Sequence, residues 1–292
     1  MRTGARVIAV SLCTAAVLLA GLAGPAAAAE PPRPDSVAAI GDSISQATDV
    51  CCFFGNWPGQ SWSTGGSSWG GVTSHVERLR AGGGGVGAFN DSVAGARMRD
   101  APAQAARAVA QRAGYVTVLM GANDLCTSSP STMTSPEVFR ARFEETMRTL
   151  EGLPQGSHVF VASIPNVYRL WQVLRGNALA QSVWFLARIC QSVLAPTNTE
   201  AARQQVVQRE LAFNAILAEV CGRYPNCRFD GNAVYEFDFQ PSQVSTLDYF
   251  HPSLAGQAAL ARVTWARSWW PSVAPQAATG ARATGRRPAR KG

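Results

Sequence analysis

Residues 37–43 read Val37-Ala38-Ala39-Ile40-Gly41-Asp42-Ser43, an apolar run followed by a glycine and two polar residues. A short apolar run bounded by turn residues is typical of a strand that is buried on both faces. Further runs of this kind follow along the chain: Val86–Phe89, Tyr115–Met120, Val159–Ile164 and, more weakly, Cys227–Asp230. The pattern predicts about five short strands.

Longer segments with helical character lie between these runs. They are Thr73–Arg80, Pro102–Arg112, Pro136–Leu150, Glu200–Cys221 and a last segment from Pro252, with proline in the first turn, to Trp269. Strands that alternate with helices indicate βαβ units. We therefore predict an α/β domain with a central parallel sheet and helices on both faces.

Four polar segments stand next to the predicted strands and the last helix. They are Gly41-Asp42-Ser43, Asn90-Asp91-Ser92-Val93-Ala94-Gly95, Gly121-Ala122-Asn123-Asp124 and Asp248-Tyr249-Phe250-His251. Each alone is a common turn or helix start. In an open sheet of order 2-1-3-4-5, however, the first three follow neighbouring strands, and ligand sites lie outside the carboxyl ends of such strands. We therefore expect Ser43, Gly95 and Asn123 to share one crevice.

The residue types in these segments suit acyl transfer. A serine such as Ser43 needs a base to become a nucleophile, and His251 can serve as that base. Asp248, three residues before the histidine, can fix its tautomer and stabilise its cation. The backbone N–H groups of Ser43 and Gly95 and the side-chain amide of Asn123 can donate to an oxyanion.

These residues closely resemble the SGNH (GDSL-type) hydrolase family. The blocks of that family carry Ser in Gly-Asp-Ser, Gly five residues after an Asn, Asn in Gly-x-Asn-Asp, and Asp-x-x-His. The matching residues occur here in the same order: Ser43, Gly95, Asn123, Asp248 and His251. The resemblance covers about residues 37–267 and implies a three-layer, flavodoxin-like α/β/α fold and a secreted serine ester hydrolase, which we expect to need no cofactor. Residues 61–65, 116–120 and 159–165 are similar to a bacterial secreted esterase and lipase branch.

One segment departs from that branch, whose members usually carry two cysteines several residues apart in the loop after the nucleophile. Here Cys51 and Cys52 are adjacent, and Trp57 stands near the place of the second cysteine. Adjacent Cα atoms are about 3.8 Å apart, below the roughly 4.4–6.8 Å of most disulfides. The pair therefore forms a strained bridge, remains as two thiols, or pairs with distant cysteines.

The charge distribution excludes a large class of functions. The formal net charge of +7 is typical of nucleic-acid-binding proteins. The surplus, however, lies at the two ends, because residues 1–29 and 276–292 contain basic residues and no acid. Residues 30–275 are formally neutral and offer no basic surface for nucleic acid. The basic tail is either a solvated charge run or a contact for anionic lipid or cell wall.

The N-terminus is typical of a secretory signal peptide. Arg2 and Arg6 precede the apolar run Val7–Leu22, and small residues follow up to Ala28 and Ala29, where we expect cleavage. The run is shorter than the roughly 20 residues that a membrane-spanning helix needs. We expect an exported, soluble protein with a signal peptide at 1–29, a linker at 30–36, the hydrolase domain at 37–270 and a basic, disordered tail at 271–292.

Export also sets the expectation for the remaining cysteines. Without Cys13 their number is even, which indicates disulfides in an oxidising compartment. Cys221 and Cys227 flank a turn-rich loop, so they form the simplest pair, and Cys126 with Cys190 would close a longer loop. Neither the cysteines nor the histidines have the spacing of zinc ligands, so we predict no metal site.

Two apolar features bear on the substrate. Aromatic residues crowd the loop that follows Ser43, where they either line a sugar or acyl subsite or pack the loop onto the domain. They are Phe53, Phe54, Trp57, Trp62 and Trp69. Residues 168–189 form either a lid that contacts lipid or a buried helical pair, and we favour burial. His75 and His158 are interpreted as surface or structural histidines.

We therefore predict an esterase or lipase that forms an acyl-enzyme at Ser43. A carbohydrate O-deacetylase with the same residues is the nearest alternative. A catalytically silent binding module belongs to another class, but a silent relative typically lacks at least one residue of this set. We expect a monomer with a small-molecule, lipid or glycan ester as partner, with transient surface contact rather than insertion in a membrane.

Overall fold

The computed structural model of this protein describes residues 30–67 and 69–272. Its strands are β1 (Ser36–Gly41), β2 (Gly87–Asn90), β3 (Tyr115–Leu119), β4 (His158–Val161) and β5 (Cys227–Phe229). They form one parallel sheet in the order β2-β1-β3-β4-β5. The predicted fold class and strand order are therefore confirmed.

Helices connect the strands and flank the sheet. Within the described residues they are α1 (His75–Ala81), α2 (Ala101–Ala110), α3 (Ala122–Leu125), α4 (Pro136–Leu150), α5 (Val167–Leu174), α6 (Ala178–Leu186), α7 (Gln191–Leu194), α8 (Glu200–Cys221) and α9 (Leu254–Trp265). The prediction gave α4 and α8 their observed bounds, offered a helical pair over 168–189, where α5 and α6 lie, as one alternative, and did not include α3 or α7.

Side-chain caps explain where two predicted helices actually begin. The Ser74 side chain accepts a hydrogen bond from the Glu77 backbone N–H, so α1 begins at His75 rather than at Thr73. Ser253 caps α9 in the same way by accepting from the Gly256 N–H. The last helix therefore starts after Pro252 instead of including it.

The register of the sheet brings three loops to one edge. In β1, Gly41 lies beside Leu119 of β3, and Ala39 lies beside Asn90 of β2. Parallel strands end at the same edge of a sheet. The loops that follow Gly41, Asn90 and Leu119 are therefore neighbours.

The central strands pack into a core that includes one histidine. β1 and β3 are buried along their whole length. His75 is fully buried, and its ring nitrogens lie 3.1 Å from the Tyr115 hydroxyl and 2.8 Å from Thr264 Oγ1. Burial lowers the pKa of His75 to about 3. Of the two interpretations, a surface or a structural histidine, the structural one therefore applies to His75.

Two disulfides have the pairing that the sequence suggested. Cys126 bonds to Cys190, and Cys221 bonds to Cys227 across the loop before β5. Cys51 and Cys52 are not bridged, although their sulfur atoms lie 2.7 Å apart. Of the three alternatives for this pair, the structure contains the two free thiols.

The segment before β1 is attached to the domain. β1 begins at Ser36, and the buried Trp270 donates its indole N–H to the Pro31 carbonyl at 2.8 Å. The predicted signal peptide at 1–29 and nearly all of the predicted tail at 271–292 lie outside the described residues. None of the described helices is both long and apolar enough to cross a membrane.

Candidate active site

The turn that holds Ser43 is fixed by the end of β1. The Gln104 side chain accepts from the Gly41 N–H at 2.8 Å and donates to the Gly41 carbonyl at 3.0 Å. A Cβ at Gly41 would lie 2.5 Å from Ser45 Oγ, so no larger residue fits. The Thr48 N–H donates to the Ser43 carbonyl at 2.9 Å and closes the next turn. Ser43 thus stands at the carboxyl end of β1 with 7% of its surface exposed.

Gly95 lies on the loop that follows β2. The Val93 N–H donates to the Gly41 carbonyl at 3.1 Å, which ties this loop to the turn of Ser43. Gly95 has a φ of +80°, a conformation that glycine adopts without strain. A Cβ at this position would meet only open space. The glycine is therefore explained by its backbone conformation rather than by close contact within the protein.

Asn123 lies in the first turn of α3, directly after β3. Its side-chain amide donates to the Ala96 carbonyl at 3.0 Å, next to Gly95. The neighbouring Asp124 accepts from the Met98 N–H at 2.8 Å and from the Thr134 hydroxyl at 2.7 Å. These bonds fix the side chain of Asn123 beside the glycine loop. One amide hydrogen of Asn123 is left to donate elsewhere.

His251 and Asp248 form a hydrogen-bonded pair in the loop before α9. His251 Nδ1 bonds to one carboxylate oxygen of Asp248. The other oxygen accepts from the backbone N–H groups of Phe250 at 2.9 Å and His251 at 3.1 Å. Burial alone would raise the pKa of Asp248, but these hydrogen bonds and the charge of the imidazole hold it below its ordinary value. Asp248 is therefore an ionised partner for a histidine cation.

The residues predicted from all four segments line one cleft. It has a volume of about 610 Å³ and is bordered by Ser43, Gly95, Asn123, Asp248 and His251. In the described chain no hydrogen bond involves the Ser43 hydroxyl, and the backbone N–H groups of Ser43 and Gly95 have no partner. These polar groups are therefore available to a bound ligand.

The remaining wall of the cleft is mostly apolar. Its apolar side chains come from the loop after Ser43, from α6 and the residues after it, and from the loop before α9. They are Phe54, Val183, Leu186, Ala187, Ile189, Leu247 and Phe250. A second, smaller cavity of about 70 Å³ shares Phe250 and His251 with this cleft and is also apolar.

Asp49 is a second carboxylate at the histidine, and sequence reasoning missed it. One of its oxygens lies 3.9 Å from His251 Nδ1, and the other accepts from the Gly55 N–H at 2.7 Å. The Ser245 hydroxyl donates to the Asp49 carbonyl and links the two loops. Asp49 has a left-handed backbone with a φ of +52°. An Asp six residues after the serine of Gly-Asp-Ser is no motif in itself, so no sequence signal marked it.

Trp184 of α6 supports the loop that carries the histidine. Tyr249, between Asp248 and His251, has a left-handed backbone with a φ of +56°. The fully buried Trp184 donates its indole N–H to the Tyr249 carbonyl at 2.9 Å. A backbone in this region is uncommon for a bulky residue and needs support from its surroundings. The signal in the sequence was the apolar segment 168–189, but it did not show which side chain reaches the site.

One carboxylate and histidine cluster has the spacing of metal ligands. Asp49, Asp248 and His251 each place a ligand atom within 4.8 Å of the others. Nδ1 of the histidine is already hydrogen-bonded to Asp248. We therefore interpret the cluster as a histidine with two carboxylates rather than as a cation site.

The aromatic residues of the loop after Ser43 divide into two groups. Trp62 is fully buried and donates to Ser45 Oγ at 3.2 Å, so it packs the loop onto the domain. Phe53 and Phe54 are largely exposed, and Phe54 lines the cleft. Packing of the loop is therefore confirmed for Trp62, and a substrate subsite stays a prediction, for which Phe54 is the residue in position.

Asp42, directly before Ser43, is an unusual buried acid. It is fully buried, and although one oxygen accepts from the Ile44 N–H at 2.9 Å, the other has no partner among the described residues. Burial is the main cause that raises its pKa to about 7. The folded protein therefore keeps the Asp42 proton over a pH range in which the unfolded chain releases it.

This difference predicts a pH-dependent effect of Asp42→Asn on stability. Between about pH 4 and pH 7 only the unfolded chain ionises this group, so the wild type loses up to about 4 kcal/mol of stability from it as pH rises. The asparagine variant has no such loss. Urea denaturation at several pH values should show the stability of the variant, relative to wild type, rising from pH 4 to pH 7 and then remaining constant. If the stabilities of variant and wild type changed in parallel over this pH range, the raised pKa of Asp42 would be contradicted.

Several solved structures are similar to this chain. An α/β hydrolase from the metagenome of Lake Arreo is 19% identical, with a TM-score of 0.50, covering 80% of this chain and 94% of its own. TesA is 16% identical with a TM-score of 0.48, and the match covers 82% of this chain and 99% of TesA. Phospholipase A1 from Streptomyces albidoflavus is 14% identical with a TM-score of 0.48, and the match covers 80% of this chain and 100% of the phospholipase chain. No curated protein matches the sequence.

The family assignment comes from the sequence itself. The model of the GDSL-like lipase/acylhydrolase family matches residues 39–259, which include all the residues predicted for the site. The match covers most of the chain and nearly the whole described domain. The protein belongs to the GDSL-like lipase/acylhydrolase family.

Proposed function

We propose that this protein is a serine ester hydrolase in which Ser43 is the nucleophile. The observation that carries the proposal is the convergence of Ser43, Gly95, Asn123 and the bonded pair Asp248–His251 on one cleft. These residues come from four separate loops and include every group that acyl transfer through a serine requires.

The first half of the reaction forms an acyl-enzyme. Because His251 Nδ1 donates to Asp248, the other nitrogen, Nε2, is free to accept the Ser43 hydroxyl proton. Ser43 Oγ then bonds to the acyl carbon of the ester, and the carbonyl oxygen becomes an oxyanion. The N–H groups of Ser43 and Gly95 and the remaining amide hydrogen of Asn123 donate to it. The leaving alcohol takes the proton from His251 Nε2 as its bond to carbon breaks.

The second half repeats the chemistry with water. His251 accepts a proton from the water, whose oxygen attacks the acyl carbon. A second oxyanion forms at the same donors. The bond to Ser43 Oγ then breaks, the serine recovers its proton from His251, and the carboxylic acid leaves. All of these groups belong to one chain, so the proposed reaction requires no cofactor and no second subunit.

The apolar wall of the cleft favours an acyl chain over a sugar. Phe54, Leu186 and Phe250 offer apolar surface next to Ser43, and such surface gains free energy by covering hydrocarbon. The proposal is therefore an esterase or lipase rather than a carbohydrate deacetylase. We also propose export with cleavage near Ala28 and Ala29, which the two disulfides support, because such bonds persist in oxidising compartments.

The nucleophile can be tested with a fluorophosphonate probe, which reacts with activated serines. We expect a single label at Ser43 in the wild type and no label in Ser43→Ala, as judged by mass spectrometry of the labelled peptides. Ser128→Ala, at an exposed serine outside the cleft, is the matched control and should label normally. A label that persists in Ser43→Ala would place the nucleophile elsewhere.

Substitution of Asn123 tests the oxyanion donors. Loss of one donor that acts mainly in the transition state should lower kcat by about 10²–10³, or about 2.7–4 kcal/mol, with little change in KM. Asn123→Ala should show this loss in steady-state hydrolysis of a soluble ester. Asn123→Asp should be at least as damaging, because it replaces the amide donor with an acceptor whose negative charge faces the oxyanion. An Asp variant with wild-type kcat would exclude Asn123 from this role.

The two carboxylates at His251 should contribute unequally. Asp248 fixes the tautomer, so Asp248→Asn should lower kcat by about 10⁴. Asp49 lies farther from the imidazole, and an asparagine there retains the oxygen that bonds Gly55. Loss of its charge should therefore cost only about tenfold in kcat, through weaker stabilisation of the histidine cation. If Asp49→Asn were the more damaging variant at an unchanged melting temperature, Asp49 would be the orienting carboxylate.

A further inference from the structure

Two segments that line the cleft also carry large exposed apolar side chains. These segments, the loop at 49–55 and helix α6, are distant in sequence. We call the side chains the apolar rim: Phe53, Phe54, Leu179, Phe185 and Leu186. Phe54 and Leu186 are 72% and 77% exposed and also line the cleft, so the rim is continuous with the site of Ser43.

The outer face of α6 is not explained by packing. Ala180 and Trp184, four residues apart, point into the core. Leu179 and Leu186 are seven residues apart and share one side of the helix, and Phe185 is exposed about 100° around the axis from them. The exposed Gln181 and Ser182 lie between these apolar side chains. The helix contains no charged residue. The outer side of a surface helix normally carries charged and polar residues, so three large exposed apolar side chains give α6 the composition of a contact surface.

The charged residues in the sequence segment around α6 are all positive. Residues 166–199 contain three arginines and no acid. Arg169 pairs with Asp238, whereas the exposed Arg175 and Arg188, which flank α6, form no salt bridge within the described residues. Apolar side chains flanked by arginines are typical of segments that lie in the interface of an anionic lipid layer.

We propose that the apolar rim and these two arginines form a docking surface for anionic lipid. The apolar side chains enter the layer of acyl chains, and Arg175 and Arg188 contact the phosphate headgroups. The cleft then opens directly onto the lipid layer. The proposal rests on the proposed function in one respect, that an ester drawn from the layer reaches Ser43. Docking itself requires no hydrolysis.

Binding can be measured without catalysis by using Ser43→Ala as the parent protein. We expect it to sediment with vesicles of phosphatidylglycerol and phosphatidylcholine in equal parts, and to bind pure phosphatidylcholine vesicles at least tenfold more weakly. Leu179→Ser with Phe185→Ser should reduce binding to the anionic vesicles at least tenfold. Arg175→Gln with Arg188→Gln should reduce it severalfold and remove most of its dependence on salt.

A matched pair of substitutions controls for the general loss of exposed apolar surface. Val138 of α4 and Leu211 of α8 are also exposed and do not line the cleft. Val138→Ser with Leu211→Ser should bind vesicles like the parent. Because all four positions are exposed, we expect unchanged melting temperatures. Equal binding by the rim variant and this control, or equal binding to neutral and anionic vesicles, would overturn the proposal.

Activity separates this proposal from the proposed hydrolase. The double variant Leu179→Ser with Phe185→Ser, with Ser43 intact, should hydrolyse a soluble short-chain ester at the wild-type rate, because neither side chain lines the cleft. The same variant should lose activity on esters that are held in anionic vesicles. If the wild-type protein hydrolysed no ester at all, the proposed hydrolase function would be refuted, but the measured binding to vesicles would still support lipid docking. Lipid docking would also be overturned if the protein were a dimer in solution and the Leu179→Ser with Phe185→Ser variant were a monomer, because the apolar rim would then hold two copies together.

Discussion

The position of the site depends on the backbone of Gly41. Its N–H and carbonyl are both bonded by the side chain of Gln104 from α2, and its carbonyl also accepts from Val93 in the loop of Gly95. In the sheet, Gly41 lies beside Leu119, three residues before α3 begins at Ala122. A Cβ there would press on Ser45 and on the Leu119 carbonyl. One glycine therefore sets how closely the loops of Ser43, Gly95 and Asn123, the proposed nucleophile and oxyanion donors, approach one another.

Much of this arrangement could be predicted from the sequence, because it follows from a rule of parallel sheets. The apolar runs predicted strands, their alternation with helices predicted a parallel sheet, and loops that follow neighbouring strands must then meet at one edge. Asp248 and His251 needed no long-range argument, since they are three residues apart. Helix ends were predicted less well where a serine cap, such as Ser74 or Ser253, decided the first residue.

The groups that support the site could not be predicted in this way. Trp184 and Tyr249 are 65 residues apart, and their bond exists only because α6 packs against the loop before α9. Asp49 reaches His251 through a left-handed turn that no glycine or asparagine marked in the sequence. Both contacts depend on a backbone conformation set by tertiary structure, which overrides local preference at such positions. The burial that shifts the pKa of Asp42 likewise depends on the finished fold.

Helix α6 meets two separate requirements, and only one of them explains its sequence. Its inner side must be apolar because Trp184 fills the core and supports the loop of His251. Its outer side carries no such constraint, since polar residues there would leave the same contacts intact. Exposed leucine and phenylalanine side chains gain nothing in water, and a continuous group of them next to an open cleft is a liability for aggregation. The exposed leucine and phenylalanine side chains of α6 therefore require an explanation outside the folded chain, and the proposed lipid layer, from which esters reach the cleft, supplies one.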